Sequence, residues 1–281
     1  MLVEQLAHLG VGTIVVVDFD VVQTHNLSRI VGATPRDARD QTKKVRVASR
    51  NVARIDSAIC VEEIDGDIAD HDVAVALTDC DFLFLATDTI TSRLVTNAIV
   101  QSHLIPAVQI GAKVDLRAQG GIESVYVAVR PVWPRQGCLD CAGLIEPMAL
   151  RKEENTDQER AAQNYLGSPE VVDPSVVSLN GIAASSAVNV MLMCAVGLAD
   201  ESLLRHRLLD AQTGDWLTLQ PIRKDACLWC GESSRSRYAL GDAAALATRA
   251  PISHSRPSSS RGIWEWIRRF VSRRSTRHPR R

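Results

Sequence analysis

Two Cys-x-x-Cys pairs, Cys138-Leu-Asp-Cys141 and Cys227-Leu-Trp-Cys230, stand 85 residues apart in a chain of 281. Two thiolates at this spacing grip one side of a tetrahedral ion, and a second pair closes the site. A zinc site built from Cys138, Cys141, Cys227 and Cys230 therefore requires a fold that returns the chain to its own middle. Four thiolate ligands leave no open position, so the expected role is structural. Two unrelated pairs would impose no such return. A redox pair would open a helix after a first strand, and neither pair does. Met1–Gly10 has no basic start and no long apolar stretch of the export kind. Free thiols and a metal are thus expected rather than disulfides, in a cytoplasmic protein.

The pattern around the cysteines is that of an α/β protein. The chain is 46% hydrophobic and only 4% aromatic, so small aliphatic residues make the core. Met1–Leu9 reads as a helix with Leu2, Leu6 and Leu9 on one face and Gly10 as its stop. Thr13–Asp18 reads as a parallel strand buried on both faces, residues 40–54 as a helix, and Val61–Ile64 as a short strand. Asp81–Ala86 is a third strand, Ile90–His103 a helix, and Ala107–Ile110 a further strand. Strands alternating with helices imply βαβ units and a doubly wound, mostly parallel Rossmann-like sheet. Glu123–Val129 alternates as an antiparallel strand would. Residues 146–172 read as a crossing loop, Val177–Leu198 as a buried apolar helix, and Leu203–Asp210 with Trp216–Pro221 as closing strands. The run 176–198 is apolar enough to raise a transmembrane question, but Ser178, Asn180, Ser185, Ser186 and Asn189 interrupt it.

Charge divides the chain. Residues 255–281 hold nine Arg and the single acid Glu265, leaving 23 basic and 32 acidic residues elsewhere. An acidic body argues against nucleic-acid binding. Ser, Arg and Pro accumulate after about residue 235, so a domain over 1–235 and a linker with a mostly disordered tail over 236–281 are expected. Within the tail, Ile263, Trp264, Ile267, Phe270 and Val271 share one helical face, with Arg268, Arg269, Arg273 and Arg274 largely elsewhere. That pattern suits contact with an anionic membrane surface or a partner, or else a disordered end.

The polar residues at strand ends carry the functional signal. Asp18 ends a buried strand, where an acid accepts ribose hydroxyls in Rossmann-like folds. Asn26-Leu-Ser-Arg29 follows. Lys43-Lys44 opens a helix, where basic side chains do not complement the dipole. Asp88 lies just past another strand, with Arg93 close behind.

Taken in order, Val16-Val-Asp18-Phe-Asp20-Val-Val, Asn26-Leu-Ser-Arg29, Lys44-Val45, Ala86-Thr-Asp88 and the two cysteine pairs resemble the ThiF/MoeB family of ubiquitin-activating-type adenylyltransferases, over about residues 1–235. The resemblance implies ATP-dependent adenylation of the C-terminal carboxylate of a ubiquitin-like or sulfur-carrier protein, with magnesium and zinc as further cofactors and a homodimeric assembly in which the apolar helix is a plausible interface. It implies that Asp18, with Asp20 beside it, serves the ribose, that Asn26, Arg29 and Lys44 serve the phosphates, and that Asp88 serves magnesium. Lys43 is the alternative to Lys44. Arg29, Lys44 and Asp88 would be the catalytic set. Such chemistry needs cations around the phosphates and no general base, because the attacking carboxylate is already ionised. Two other readings stay open: a non-catalytic scaffold or fragment of this fold, and an NAD-dependent oxidoreductase, which Asp18 alone would suit.

Three departures from the family pattern matter. Ile30 stands where Gln is usual after the Asn-Leu-x-Arg run. Residues Asp173–Asn180 hold no Cys, so no thioester step is expected, and Cys194 reads as core. No glycine turn leads into the first helix, since Gly10 and Gly12 follow it and Gly111 follows a later strand. An apolar strand and a turn of the GxGGxGS kind are expected ahead of residue 1.

Overall fold

The structure, a computed structural model, describes residues 1–117, 120–154 and 176–249. The basic tail, most of the expected crossing loop and the start of the Asp173–Asn180 stretch lie outside the described residues.

Helix α1 (Leu2–His8) leads into β1 (Thr13–Val17). Leu6 is buried and Leu2 packs beside it, but Leu9 is exposed, so the expected three-leucine face is shorter by one residue. After β1 come the short α2 (Pro35–Arg39), α3 (Lys44–Ile55), β2 (Cys60–Ile64) and α4 (His71–Ala76). Strand β3 (Leu83–Leu85) is followed by α5 (Ile90–His103), β4 (Ala107–Leu116) and β5 (Ile122–Val132). Next come α6 (Pro147–Glu154), the long α7 (Val177–Ala195), β6 (His206–Asp210) and β7 (Trp216–Leu219).

The strands form two sheets. One is the parallel pair β1–β2, in register from Thr13 opposite Cys60 to Val17 opposite Ile64. The other runs β3-β4-β5-β6-β7, with β3 and β4 parallel and every later pairing antiparallel. The antiparallel extension is therefore larger than a mostly parallel sheet would have. It arises because β4 turns straight back into β5 through a short connection, with no helical crossover to force a parallel return. Gly120 and Gly121, at φ +88° and +91°, supply the left-handed backbone this turn requires.

No ladder joins β1 to β3 among the described residues, yet the two strands share cores on both faces. Val15 and Val17 pack against the cluster of Leu83 and Leu85, and Ile14 and Val16 pack with Phe84. Ile14 alone in β1 is buried, which corrects the expectation of a strand buried on both faces. A strand with a ladder on one side only leaves its other edge accessible.

Helices cover both faces of the larger sheet. Val95 and Ile99 of α5 pack on Leu83, Leu85, Ala107 and Val132. Leu179, Ala183, Ala187 and Val190 of α7 pack on Val108, Ile110, Val127 and Val129 of the opposite face. Helix α7 is long and apolar enough to cross a membrane, but its inner face is engaged with the sheet and Gln5 of α1 donates to the Ser185 hydroxyl at 3.0 Å.

Residues 235–249, where composition suggested a linker, stay packed. Ala239 N–H donates to the Gln101 carbonyl at 2.9 Å, and Arg249 bonds the Ala69 carbonyl through its backbone and Asp67 and Asp70 through its guanidinium. Leu246 and Ala247 lie against the cysteine cluster. Composition missed this because the partners of these residues lie some 140 to 180 positions earlier in the chain.

Candidate functional site

The turn after β1 is built around Asp18. Its Oδ1 accepts the Asp20 N–H at 2.8 Å. A second strand of backbone bonds pins the start of α3 to this turn: Val22 N–H donates to Thr42 O at 2.8 Å and Lys44 N–H to Asp20 O at 3.0 Å. The lysine pair is thereby sorted. Lys44 Nζ sits 2.5 Å from Asp20 Oδ2 and 3.9 Å from Asp18 Oδ2. Lys43 Nζ turns away, to the Phe19 carbonyl at 2.8 Å and to Asp65 at 2.9 Å. Burial pushes the Asp18 carboxyl above its ordinary range, against the opposing pull of the Asp20 N–H and Lys44. Two carboxylates and an ammonium are thus held together at the carboxyl end of a parallel strand, where open α/β sheets bind ligands.

Asn26 ends a 3-10 turn, Thr24–Asn26, and Arg29 lies in the turn that follows, its N–H donating to the Asn26 carbonyl at 3.0 Å. Asn26 is buried and its Oδ1 accepts the Gln23 N–H at 3.1 Å, so its side chain shapes the turn. Arg29 has one bond, from Nη1 to the His25 carbonyl at 3.2 Å, and meets no carboxylate among the described residues.

Asp88 lies beyond β3, in the connection to α5. It is exposed and makes no hydrogen bond or ion pair among the described residues. Among the described residues no hydrogen bond or ion pair joins it to the Asp18, Asp20 and Lys44 group. The structure therefore gathers Asp18, Asp20 and Lys44, sets Asn26 and Arg29 on consecutive turns, and leaves Asp88 at the end of the other parallel pair.

The start of α5 beside Asp88 contains a residue that sequence reading missed. Glu153, on α6, accepts the Ile90 and Thr91 N–H groups at 2.7 and 2.9 Å and the Thr91 hydroxyl at 3.0 Å. Thr89 completes the cap by accepting the Ser92 N–H at 3.2 Å. A carboxylate at a helix N-terminus is favoured by both the free N–H groups and the helix dipole. Thr89 was legible as a local cap. Glu153 was not, because nothing in the sequence ties it to a helix 62 residues earlier.

The four cysteines come together. All are buried, with Cys138 Sγ 3.7 Å from Cys227 Sγ and Cys141 Sγ 3.6 Å from Cys230 Sγ. Every pair lies within 4.8 Å. Zinc–sulfur bonds of about 2.3 Å place tetrahedral ligands about 3.8 Å apart, so this spacing fits a tetrahedral metal. Cys141 N–H and Trp229 N–H each donate to a cysteine sulfur at 3.4 Å, which stabilises thiolate character. Gly231 is required by the close turn, since a Cβ there would lie 2.4 Å from the Asp225 carbonyl. A hydrogen bond to Cys230 and burial push the Cys138 thiol well up, and burial pushes Cys141 up to about 12. Four sulfurs this close cannot all ionise without a cation among them.

An apolar groove of about 570 Å³ opens between the β4–β5 hairpin and the start of α7, lined by Val114, Leu116, Ile122 and Leu179. It holds no titratable side chain and none of the strand-end residues above.

The chain is similar to known proteins in sequence and in fold. The model of the ThiF family matches residues 1–229. The sulfur carrier protein ThiS adenylyltransferase of Escherichia coli is 24% identical over 229 residues, covering 82% of this chain and 80% of that protein. The molybdopterin-synthase adenylyltransferase of Escherichia coli is 28% identical over 231 residues, with 82% and 81% covered. In fold the chain is similar to Escherichia coli MccB solved with ATP, with a TM-score of 0.60 at 20% identity over 82% of this chain. It is also similar to the microcin C7 biosynthetic enzyme MccB in complex with N-formylated MccA, with a TM-score of 0.64 at 19% identity. The chain spans 62% of the length of the MccB chain solved with ATP.

Proposed function

The chain belongs to the ThiF family, and from that premise we propose that it is an adenylyltransferase that activates the C-terminal carboxylate of a ubiquitin-like or sulfur-carrier protein with ATP. The observation that carries this reading is the Asp18, Asp20 and Lys44 group at the carboxyl end of β1. In it Asp18, with Asp20, receives the ribose hydroxyls. Lys44 leaves Asp20 for a phosphate, and Arg29, bound only to a carbonyl, has its charge free for the same purpose. Asn26 fixes the turn that aims Arg29. Asp88, exposed and unpartnered among the described residues, holds the magnesium carried with ATP, whose contribution is to neutralise phosphate charge.

The substrate carboxylate attacks the α-phosphate, an acyl-adenylate forms, and pyrophosphate leaves. Negative charge grows on the phosphates, so fixed cations stabilise the transition state more than the ground state. No cysteine lies in Asp173–Asn180, and transfer then proceeds from the acyl-adenylate with no thioester. Zinc in the cysteine cluster is structural in this reading. The protein acts as a homodimer.

A second reading, a scaffold that keeps the fold without the chemistry, is favoured by one observation: Lys44, the cation meant for a phosphate, is engaged with Asp20 and Asp18. Magnesium–ATP should raise the melting temperature while NAD does not, and carrier-dependent ATP–pyrophosphate exchange should be measurable. ATP protection without exchange would favour the scaffold, and protection by NAD alone would refute both.

A further inference from the structure

Helix α5 packs on one face of the five-stranded sheet, and that face carries a basic cluster which the reading above does not use. Gln109 of β4 is directly opposite Arg130 of β5, and Gln109 is also the β4 partner of Leu85, the last residue of β3. Arg130 Nη1 donates to Gln109 Oε1 at 2.8 Å. Gln109 is 2% exposed and spends its amide on the Ile110 carbonyl at 2.9 Å, so it is locked in place. Arg93, in the first turn of α5, donates among the described residues only to the Leu144 carbonyl at 3.4 Å, and its buried Nε has no partner there. His206 of β6 closes the far side and is itself buried.

These groups form no salt bridge among the described residues. Among the described residues neither Arg93 nor Arg130 meets a carboxylate, whereas Arg50, Arg223 and Arg249 each do. Burial lowers the Arg130 pKa, and the charge of Arg93 lowers it further. Burial and the charge of Arg130 push His206 down to about 4, so it stays neutral at pH 7 and contributes no third cation. Two guanidinium groups close enough to act on each other's charge, on the α5 side of β4 and β5, are costly in a partly buried site unless an anion joins them.

We infer that Arg93 and Arg130 form an anion subsite that receives the terminal carboxylate of the protein substrate's tail. The inference rests on the proposed function for the identity of that substrate. The subsite adjoins the carboxyl end of β3, three residues before Asp88, which is where a carboxylate would await the α-phosphate. Guanidinium forks match carboxylate geometry, and their field keeps the carboxylate ionised, the form that attacks. Gln109 occupies part of the Arg130 fork, so the carboxylate is steered without being clamped on every side.

The test compares calorimetric binding of N-acetyl-tetraalanine with a free carboxylate and the same peptide as its C-terminal amide. Inorganic phosphate and magnesium–ATP are titrated in parallel. The acid should bind at least tenfold more tightly than the amide. Arg130→Gln should abolish that difference and Arg130→Lys should keep part of it, both without changing ATP affinity. If Arg130→Gln does not fold, Arg93→Gln provides the same comparison. Equal binding of acid and amide, or a difference that survives Arg130→Gln, overturns the proposal. Loss of phosphate or ATP affinity in its place assigns the subsite to the nucleotide and overturns it as well. Because binding is read without catalysis, failure of pyrophosphate exchange leaves this test intact.

Discussion

Arg29 and Asp88 are the two charged residues of the proposed site that the fold leaves least restrained. One is bonded to a single carbonyl and the other to nothing among the described residues. Removing either should spare stability and reduce catalysis. Arg29→Ala and Asp88→Ala should each lower pyrophosphate exchange by at least about a hundredfold, the effect of losing roughly 3–4 kcal/mol of transition-state stabilisation, with melting temperatures near that of the parent. Near-parental exchange in both variants would remove them from the site. His206 behaves differently. Its folded pKa of about 4 lies below its ordinary 6.5, so the folded state binds fewer protons than the unfolded state between these values. Stability from this residue is therefore complete above about pH 6.5 and falls as the pH drops toward 4, by at most about 3 kcal/mol. Denaturant titrations from pH 7 to 4 should show a shallower loss in His206→Asn than in the parent. Parallel curves would sink that account. Asp18 and Lys44 were legible in sequence because a strand and the next helix place them. Arg130 and His206 were not, since only antiparallel pairing brings β5 and β6 beside Arg93.

Among the elements, α5 runs from Ile90 to His103, as its pattern predicts, because both ends carry local signals: the Thr89 cap and Leu104 at φ +61°. Strand β4 runs to Leu116, well beyond the expected Ile110, because pairing with β5 extends it where its own sequence shows no period. The cap from Glu153 suggests a direct experiment. Glu153→Ala should lower stability by about 1 kcal/mol, as other lost N-caps do, and Glu153→Gln should recover part of it. No change in either variant would show that the contact contributes nothing. The two sheets make a second prediction. Asp18 N–H donates to Ile64 of β2, so by alternation along a parallel strand Ile14 and Val16 also face β2, while Val15 and Val17 face away. Leu83 N–H donates to Pro106, so Phe84 faces away from β4. In native hydrogen exchange, the amides of Val15, Val17 and Phe84 should exchange much faster than those of Val16 and Leu85. Equal protection would mean that something pairs with those edges.

For the whole molecule, the cysteine pairs were the most legible feature, since their spacing alone required residues 138–141 and 227–230 to meet. What could not be read was the company they keep. Residues 235–249 pass beside the cluster and reach Asp67 and Asp70, contacts that no local pattern announces. Purified protein should carry one zinc per chain, and any single Cys→Ser change at these four positions should destabilise the whole fold. Well under one zinc per chain on metal analysis would refute the assignment. The meeting of the two pairs also has a topological meaning. A metal there closes a ring of chain that contains α6, α7, β6 and β7. In the unfolded ensemble such a ring, left intact, would deprive the chain of roughly 4–5 kcal/mol of freedom, the value for a loop of about 90 residues. A chelator that takes the metal opens the ring and also withdraws the binding energy that holds the four sulfurs together, so the folded state should be lost as a unit.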